Sequence, residues 1–468
     1  MQLITHGLCV ITFLLVLSFQ SLAEATLSLE MAVQNAQAND PWLVGNQHSQ
    51  DSLESLSVAS GTLPDPKISI GLVNLPTDTF NFDQERMTQF KVGVSQMFPR
   101  GNSLELRRKQ LELLASQYPF QRENRKANVV VVVAQLWLDA FKAQESIALI
   151  EQDRALFEQL ADVAEASYSA AVGKTRQQDI IRAQLELTRL DDRLTVLHQQ
   201  REVALQRLTE WRSVYFLPPT DQPGSLNLVT TMASVEITLD RVLPEIQLLN
   251  PELYTGAAGI EPQKLYQFLV GHAVVQGLEL RIEAQRTGIE LAYQKYKPEW
   301  GLNASYAYRD EDAIGIDQQD LFSVGISFDL PLFTTNRQDK ELQSAISLTE
   351  AVRTEKWLLL RKLMASFEAS RAQLFRLNQR QKLYRSRLLP QIHDQAEASL
   401  TAYTNDDGDF SEVVRARIAE LNANIEALSI DVDRQKLRVQ LNYFFMSSAN
   451  QIIASTPISG LPENSNDH

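Results

Sequence analysis

The sequence predicts a mainly helical protein that also contributes β-strands to a membrane barrel. Three observations carry this prediction: an apolar leader at the N-terminus, helical patterns much longer than those of a globular domain, and short segments in which apolar and polar residues alternate. One such segment, QFKVGVSQMFPR at 89–100, is repeated as LFSVGISFDLPL at 321–332, about half a chain length later. The chain is therefore interpreted as two copies of one unit.

The first 23 residues have the features of a secretory signal peptide. An apolar run extends from Leu8 to Phe19, and a small-x-small pattern then predicts cleavage between Ala23 and Glu24. The only cysteine, Cys9, falls within this leader, so the exported chain is expected to contain no disulfide and no lipid-modified cysteine. No later apolar stretch is long enough for a membrane-spanning helix.

Each predicted repeat consists of a first helix, a strand pair, a long helix, a tip and a return helix. The predicted boundaries are 24–211 for the first repeat, 212–261 for an irregular segment rich in Pro and Gly, 262–446 for the second repeat and 447–468 for a tail. The long helices, 103–171 and 336–403, would each span roughly 100 Å at 1.5 Å per residue. In each repeat the two shorter helices together match the long one, which predicts that they stack end to end beside it.

Local signals refine this prediction. Pro41 implies a bend in the first helix and Pro119 a kink near one end of the first long helix. The valine run at 129–133 has no turn residues on either side, so we interpret it as a buried helix face and not as a strand. The return helices begin after Gly173, with a Thr175–Gln178 capping box, and at Asp409, with Glu412 three residues later.

Four strands are predicted, at about 67–75, 88–98, 299–309 and 321–331. Their even-numbered residues are apolar or aromatic and their odd-numbered residues are mostly small or polar, as in an antiparallel sheet with one wet face. The same pattern fits a transmembrane barrel, and the signal peptide and the long helices favour that interpretation. In it, the lipid-facing residues are Phe90, Val92, Val94, Tyr306, Tyr308, Phe322, Val324 and Ile326.

Four strands cannot close a barrel, and a membrane tolerates no open sheet edge. Several chains must therefore combine their strands: two chains would give eight, and three would give twelve with room for an aqueous duct. The passage from strand to helix is predicted at Pro99, Gly101 and Pro331.

Taken in order, these features make the mature chain similar to the TolC family of outer-membrane efflux channels. The resemblance rests on the doubled strand-Pro-helix unit, on KYKPEWGLNASYAY, and on the tips YSAAVGKTRQQDIIRAQLEL and YTNDDGDFSEVVRARIAEL. It implies a homotrimer with a twelve-stranded barrel in the outer membrane and a periplasmic helical tunnel that an adaptor protein and an inner-membrane pump open. MTQFKVGVSQMFPRG and DLPLFTTNRQDKEL resemble the branch that serves heavy-metal exporters of the resistance-nodulation-division type.

The residues that could carry function lie at the tips. Asp406, Asp407 and Asp409 of three chains would surround a narrow mouth, favour cations and pair with Arg176 or Arg182 to hold the mouth shut. The alternative is that these acids are ordinary turn and cap residues, which suits Asp409 best.

We find no catalytic arrangement, cofactor motif or metal-ligand spacing, and the histidines are scattered, so neither an enzyme nor a metal site is predicted. The net charge of −14 argues against a nucleic-acid partner. The predicted function is an efflux duct for metal cations or small toxic compounds. Two alternatives remain: a duct for type I protein secretion, and a periplasmic coiled-coil adaptor, which would contain a single helical hairpin with β-rich flanks.

Overall fold

The computed structural model describes residues 26–169, 176–212, 237–254, 259–405, 407–445 and 455–457. The predicted signal peptide with Ala23 and Glu24, the Thr175 cap, Asp406 and most of the segments 212–261 and 447–468 lie outside these residues. In chain order the elements are α1 (Leu29–Ala38), α2 (Pro41–Ser60), β1 (Lys67–Val73), β2 (Gln89–Phe98), α3 (Ser103–Ala115), α4 (Gln117–Ser169), α5 (Gln177–Arg212), β3 (Pro244–Ile246), α6 (Pro262–Val270), α7 (Ala273–Gln294), β4 (Trp300–Tyr308), β5 (Leu321–Phe328), α8 (Gln338–Leu383), α9 (Leu389–Thr404), α10 (Phe410–Tyr443) and β6 (Ser455–Pro457).

Four of the strands form one antiparallel sheet in the order β1-β2-β4-β5. The two hairpins therefore join through β2 and β4, each hairpin belonging to one repeat. Two strands are shorter than predicted. β1 ends at Val73 because Asn74 adopts a φ of 59°, and β5 ends at Phe328, three residues before Pro331, whose missing N–H cannot join a ladder.

The loops that close the two hairpins are tied to each other. Arg86 of the first loop donates from Nε to Asp312 Oδ2 of the second at 2.8 Å, and the Asp312 carboxylate is buried. That carboxylate also accepts from the backbone N–H groups of Ile314 and Ile316 at 3.1 and 3.0 Å. The far end of the sheet thus carries a cross-link between the repeats, which the sequence pattern did not predict.

The helices lie along one another as the segment lengths predicted. In the first repeat α2 contacts α3 while α1 and α5 contact α4, and α1 also meets α5. In the second repeat α7 contacts α8, and α10 lies along both α8 and α9. The repeats join through contacts of α3 and α4 with α7 and of α4 with α10.

Both long helices contain an interruption next to a proline. The first breaks at Ser116, one turn before Pro119, because a proline has no N–H to bond the carbonyl four residues earlier. The second passes through a π-helical turn, Tyr384–Leu388, immediately before Leu389 and Pro390. Pro41 is instead the first residue of α2, where Asp40 caps the helix by accepting from Trp42 N at 3.1 Å.

The largest apolar core surrounds the middle of α4. The valine run predicted as a buried helix face is helical, and Val129, Val130 and Val133 are buried there. Trp137, also fully buried, donates from Nε1 to the Leu27 carbonyl at 2.8 Å, which fixes the residues just before α1 against α4. A second core lies toward the tips, where Phe157 and Phe410 are buried, and a third surrounds Phe367.

Candidate functional site

The strand register brings the even-numbered residues of all four strands onto one face. One cross-strand row runs through Ile70, Val92, Tyr306 and Phe322. Because alternate residues of a strand point to opposite faces, the other predicted lipid-facing residues share this side. Those residues are Phe90, Val94, Tyr308, Val324 and Ile326. All eight side chains are exposed, from 38% for Val92 to 73% for Phe322, in an apolar face of a kind that soluble monomers rarely leave open.

The opposite face of the sheet is small and polar. Its central row runs through Ser69, Gly93, Ser305 and Ser323. This alternation, with apolar residues at even positions and small or polar residues at odd positions, is typical of a strand that separates lipid from water.

Both outer strands of the sheet have an open edge. In the described chain β1 pairs only with β2, and β5 pairs only with β4. The unpaired N–H and C=O groups of β1 and β5 are therefore available to another copy of the same sheet.

The change from strand to helix depends on a close contact at Gly101. Its φ of 47° is left-handed, and a Cβ there would overlap Gln294 Oε1 and lie 2.6 Å from Lys297 Cδ. The neighbouring Arg100 donates to the carbonyls of Lys295 and Lys297 at 3.1 Å each. Of the predicted junction residues, Pro99 and Gly101 thus lie directly between β2 and α3.

Arg100 also forms an ion pair with Asp329, which follows β5 and precedes Pro331. Asp329 in turn accepts from the Glu299 N–H at 2.7 Å, just before β4. The junction therefore contains a polar clasp that joins the two repeats. Sequence reasoning missed it, because its only signal was an acid at an inward-facing position of the second copy.

At the tip, the structure brings together three of the predicted residues. Asp409 is the N-cap of α10 and accepts from Ser411 N at 3.0 Å. This bond to the Ser411 backbone, together with the nearby charges of Arg176 and Arg182, lowers the pKa of Asp409. Asp407 is exposed and its N–H donates to the Ala402 carbonyl at 3.0 Å, whereas Asp406 lies outside the described residues.

The start of the other return helix is held by a residue that the sequence did not single out. The carboxylate of Asp179 is buried and accepts from the backbone N–H of Arg176 at 2.9 Å. This bond fixes the backbone of one of the two arginines that lie near Asp409. The sequence feature that could have pointed to Asp179 is an acidic residue in the first turn of α5.

Further along the helices, a charged cluster connects α9 and α10. Arg417 donates to Glu420 at 2.8 Å and to Glu397 at 2.6 Å, and His393 Nδ1 lies 2.7 Å from Glu420. The bond to Glu420 raises the pKa of His393. Asp153 of α4 faces the cluster, and burial, followed by the charge of Glu420, raises the pKa of Asp153.

Among the described residues, no group of three or more His, Cys, Asp or Glu side chains could hold a metal ion. None of the described helices is both long and apolar enough to cross a membrane.

Comparisons of the sequence alone identify no relative. No family model matches the chain. No curated protein matches it either.

The fold, however, matches solved structures over most of its length. CusC, whose crystal structures describe folding and transmembrane channel formation, is 14% identical, with a TM-score of 0.68 over 89% of this chain and 91% of that one. The Campylobacter jejuni CmeC outer-membrane channel is 10% identical, with a TM-score of 0.69 over 89% and 85% of the two chains. The open-state MtrE outer-membrane channel of Neisseria gonorrhoeae is 14% identical, with a TM-score of 0.64 over 89% and 88%. The chain therefore has the fold of TolC-family outer-membrane efflux channels, as the resemblance in its sequence implied.

Proposed function

We propose that this protein is the outer-membrane exit duct of a tripartite efflux system. The observation that carries the proposal is the four-stranded sheet, which has one exposed apolar face and two open edges and continues into two interrupted helical stretches, α3 with α4 and α8 with α9, of about 100 Å each. A single chain would not be stable with this sheet in lipid, because each unpaired backbone group at the sheet edges would cost several kcal/mol there.

Closure through identical copies resolves this cost. The free edge of β5 in one copy would pair with β1 of the next, and three copies would form a barrel of twelve strands. The polar row through Ser69 and Ser323 would then line the water-filled interior, and the apolar row through Val92 and Phe322 would face the lipid of the outer membrane.

The helices give the duct its length. Three copies of the helical part would continue the barrel as a tunnel into the periplasm, toward an adaptor protein and an inner-membrane pump of the resistance-nodulation-division type. The tips, with Asp407, Asp409, Arg176 and Arg182, would form the mouth that these partners open. The two helical hairpins of the fold disfavour the alternative of a periplasmic adaptor, for which one hairpin was expected.

The pump would select the substrates, which we propose to be metal cations or small toxic compounds. The choice of substrate rests on the two stretches that resemble the heavy-metal branch. The described residues contain no group of side chains that could bind a metal ion, so no cation-selecting site in them supports the choice. A conduit needs no such group.

Cross-linking across the free sheet edges tests the proposal. Removal of the predicted signal peptide would also remove Cys9, the only cysteine of the sequence. Ser69→Cys in β1 and Ser323→Cys in β5 would then be the only thiols, and a short bis-maleimide would join them between copies. We expect covalent dimers and trimers in the outer-membrane fraction of the double variant, and only dimers or monomers in each single variant. A soluble periplasmic monomer that does not cross-link would refute the proposal.

A further inference from the structure

A cavity of about 390 Å³ lies beneath the sheet, where strands change to helices. Its walls come from four helices: the end of α2, the start of α3, the last turn of α7 and the start of α8. The cavity lies at the level of Pro99 and Glu299, just beyond the cross-strand row of Phe98, Trp300 and Phe328 at the strand ends.

Positive charge dominates the lining. Four cationic side chains line the cavity, against two carboxylates. Both carboxylates are already paired: Glu341 lies 2.9 Å from Lys295 Nζ, and Glu299 lies 3.9 Å from Arg100 Nε. The remaining two cations, Arg107 and Arg337, form no ion pair with any described residue, so their charge is uncompensated.

Two helices also begin at this cavity. α3 starts at Ser103 and α8 at Gln338, and their N-caps, Asn102 and Arg337, make no side-chain capping bond. The Ser103 and Asp339 N–H groups donate to the carbonyls of Arg100 and Thr334 at 3.0 Å each, so an anion would be attracted by the remaining first-turn N–H groups and by the positive end of each helix dipole. Two such ends in one wall reinforce the effect of the arginines.

Gln338 provides an independent indication that a ligand belongs here. It lines the cavity and is 6% exposed, and its Oε1 has no hydrogen-bond partner among the described residues. Buried amide groups without a partner are rare, because each costs about 1–3 kcal/mol. A bound molecule with a hydroxyl or ammonium donor would satisfy this oxygen.

We propose that the cavity binds a phosphate-type oxyanion that also carries a hydrogen-bond donor. Arg107 and Arg337 would bind the phosphate oxygens with paired N–H donors, the two helix starts would add to the attraction, and Gln338 would accept from the donor group. Two sources have this chemistry: the headgroup of an anionic phospholipid and a free phosphate compound in the duct. The lipid source rests on the proposed function, because it requires that the sheet lie in a membrane.

Binding to the purified full-length protein tests the site. The variant Arg107→Gln/Arg337→Gln removes the two unpaired cations. The control Arg108→Gln/Lys109→Gln also removes two positive charges, both from α3, at positions that do not line the cavity. Inorganic phosphate is titrated into each protein by calorimetry in detergent, and retention of phosphatidylglycerol, with diacylglycerol as the phosphate-free reference, is measured by native mass spectrometry.

We expect the site variant to bind about tenfold more weakly than the control, since each arginine supplies a charge-assisted bond. A loss for phosphatidylglycerol alone identifies the lipid headgroup as the source, and an equal loss for inorganic phosphate identifies a free anion. Equal binding of both probes by the site variant, the control and the unaltered protein overturns the inference. Because binding is read without conductance or membrane insertion, this outcome is separate from failure of the sheet-edge cross-linking that tests the duct.

Discussion

His393 of α9 contacts Glu420 of α10 near the tip, and this contact depends on the protonation state of the histidine. It lies 2.7 Å from Glu420, which also binds Arg417, while Glu397 and Asp153 complete the charges around it. A histidine whose folded-state pKa is raised stabilises the fold at pH values below its ordinary pKa of about 6.5. That contribution is lost as the pH rises through the raised pKa of the folded state.

We therefore expect His393→Asn to lower thermal stability at pH 5.5 and to have almost no effect at pH 8.5. The His393 side chain is exposed, so the difference at low pH should be small, about 0.2–1 kcal/mol. Thermal unfolding of both proteins between the two pH values measures it. His48→Asn is the control, since His48 is exposed and lies 3.9 Å from Asp51. A destabilisation by His393→Asn that is the same at both pH values would contradict the assignment.

Gly408 sets the shape of the tip turn. A Cβ at this position would lie 2.6 Å from Tyr403 N and 2.9 Å from the Ala402 carbonyl carbon, and neither backbone atom can move freely. We expect Gly408→Ala to open the turn between α9 and α10 at a local cost of about 1–3 kcal/mol. Hydrogen exchange of the Asp407 N–H, which donates to Ala402, should then become faster.

Gly45 offers the matched control for this glycine. It lies within α2, and a Cβ there would meet no atom within 4 Å. Gly45→Ala should therefore leave exchange at the tip unchanged and stabilise the helix by about 0.5–1 kcal/mol. If both substitutions stabilise the protein, the tip turn is looser than the structure shows.

Residue-level features followed from the sequence only where the partners are close in the chain. The cap of α10 could be predicted, because Asp409 needs only Ser411, two residues away, to accept its hydrogen bond. The clasp of Arg100 with Asp329 and the loop pair of Arg86 with Asp312 join residues more than two hundred positions apart. No periodicity encodes such a pair, and an alignment of related sequences would have been needed to detect it.

At the scale of the element, each strand should tolerate charge on one face only. Val324 lies in the exposed apolar face of β5, and Ser323 lies beside it on the polar face. If the apolar face contacts lipid, Val324→Lys should cost about 2–4 kcal/mol at mid-depth, whereas Ser323→Lys should cost little.

The amount of heat-modifiable trimer in the outer-membrane fraction reports this difference. We expect a large loss of trimer for Val324→Lys and near-normal amounts for Ser323→Lys. Equal amounts for the two variants would indicate that the even-numbered residues face something other than lipid. The pair is well matched, because both substitutions add the same side chain to adjacent positions of one strand.

The elements themselves were largely predictable, because alternation and helical spacing are local properties of the chain. Strand ends were less so: Val73 and Phe328 end strands that the pattern would have continued, since turn geometry at Asn74 and the approach to Pro331 override alternation. The interruption near Pro119 followed from the missing N–H. The π-helical turn before Pro390 did not, because a proline within a long helix can be accommodated either by a break or by a wider turn.

At the scale of the whole molecule, the sheet and the tip of the proposed duct would make opposite demands on the same assembly. The sheet requires neighbouring copies to be permanently joined, because an open edge is not tolerated in lipid. The tip of a duct must instead open and close. A tip held by charged residues and a tight turn suits this requirement, since exposed charge pairs contribute only about 0–1 kcal/mol each and can separate at little cost.

The last prediction concerns the ion current through single channels of the proposed trimer. Asp407 and Asp409 are exposed, and in the proposed trimer three copies would place these carboxylates around one mouth. Asp406, which the sequence predicts to join them, lies outside the described residues. A ring of negative charges in a narrow pore raises the local concentration of cations. We expect Asp406→Ala/Asp407→Ala to reduce the cation preference of single channels in planar bilayers and to change their conductance.

Asp51→Ala/Glu54→Ala removes the same charge from α2, far from the tip in sequence, and should leave both properties unaltered. Asp409 is left unaltered in this experiment because its carboxylate caps α10, and its loss would disturb the helix as well as the charge. If conductance and cation preference are the same in the tip variant and in the unaltered protein, the tip acids serve only the turn, and the passage is narrowest elsewhere.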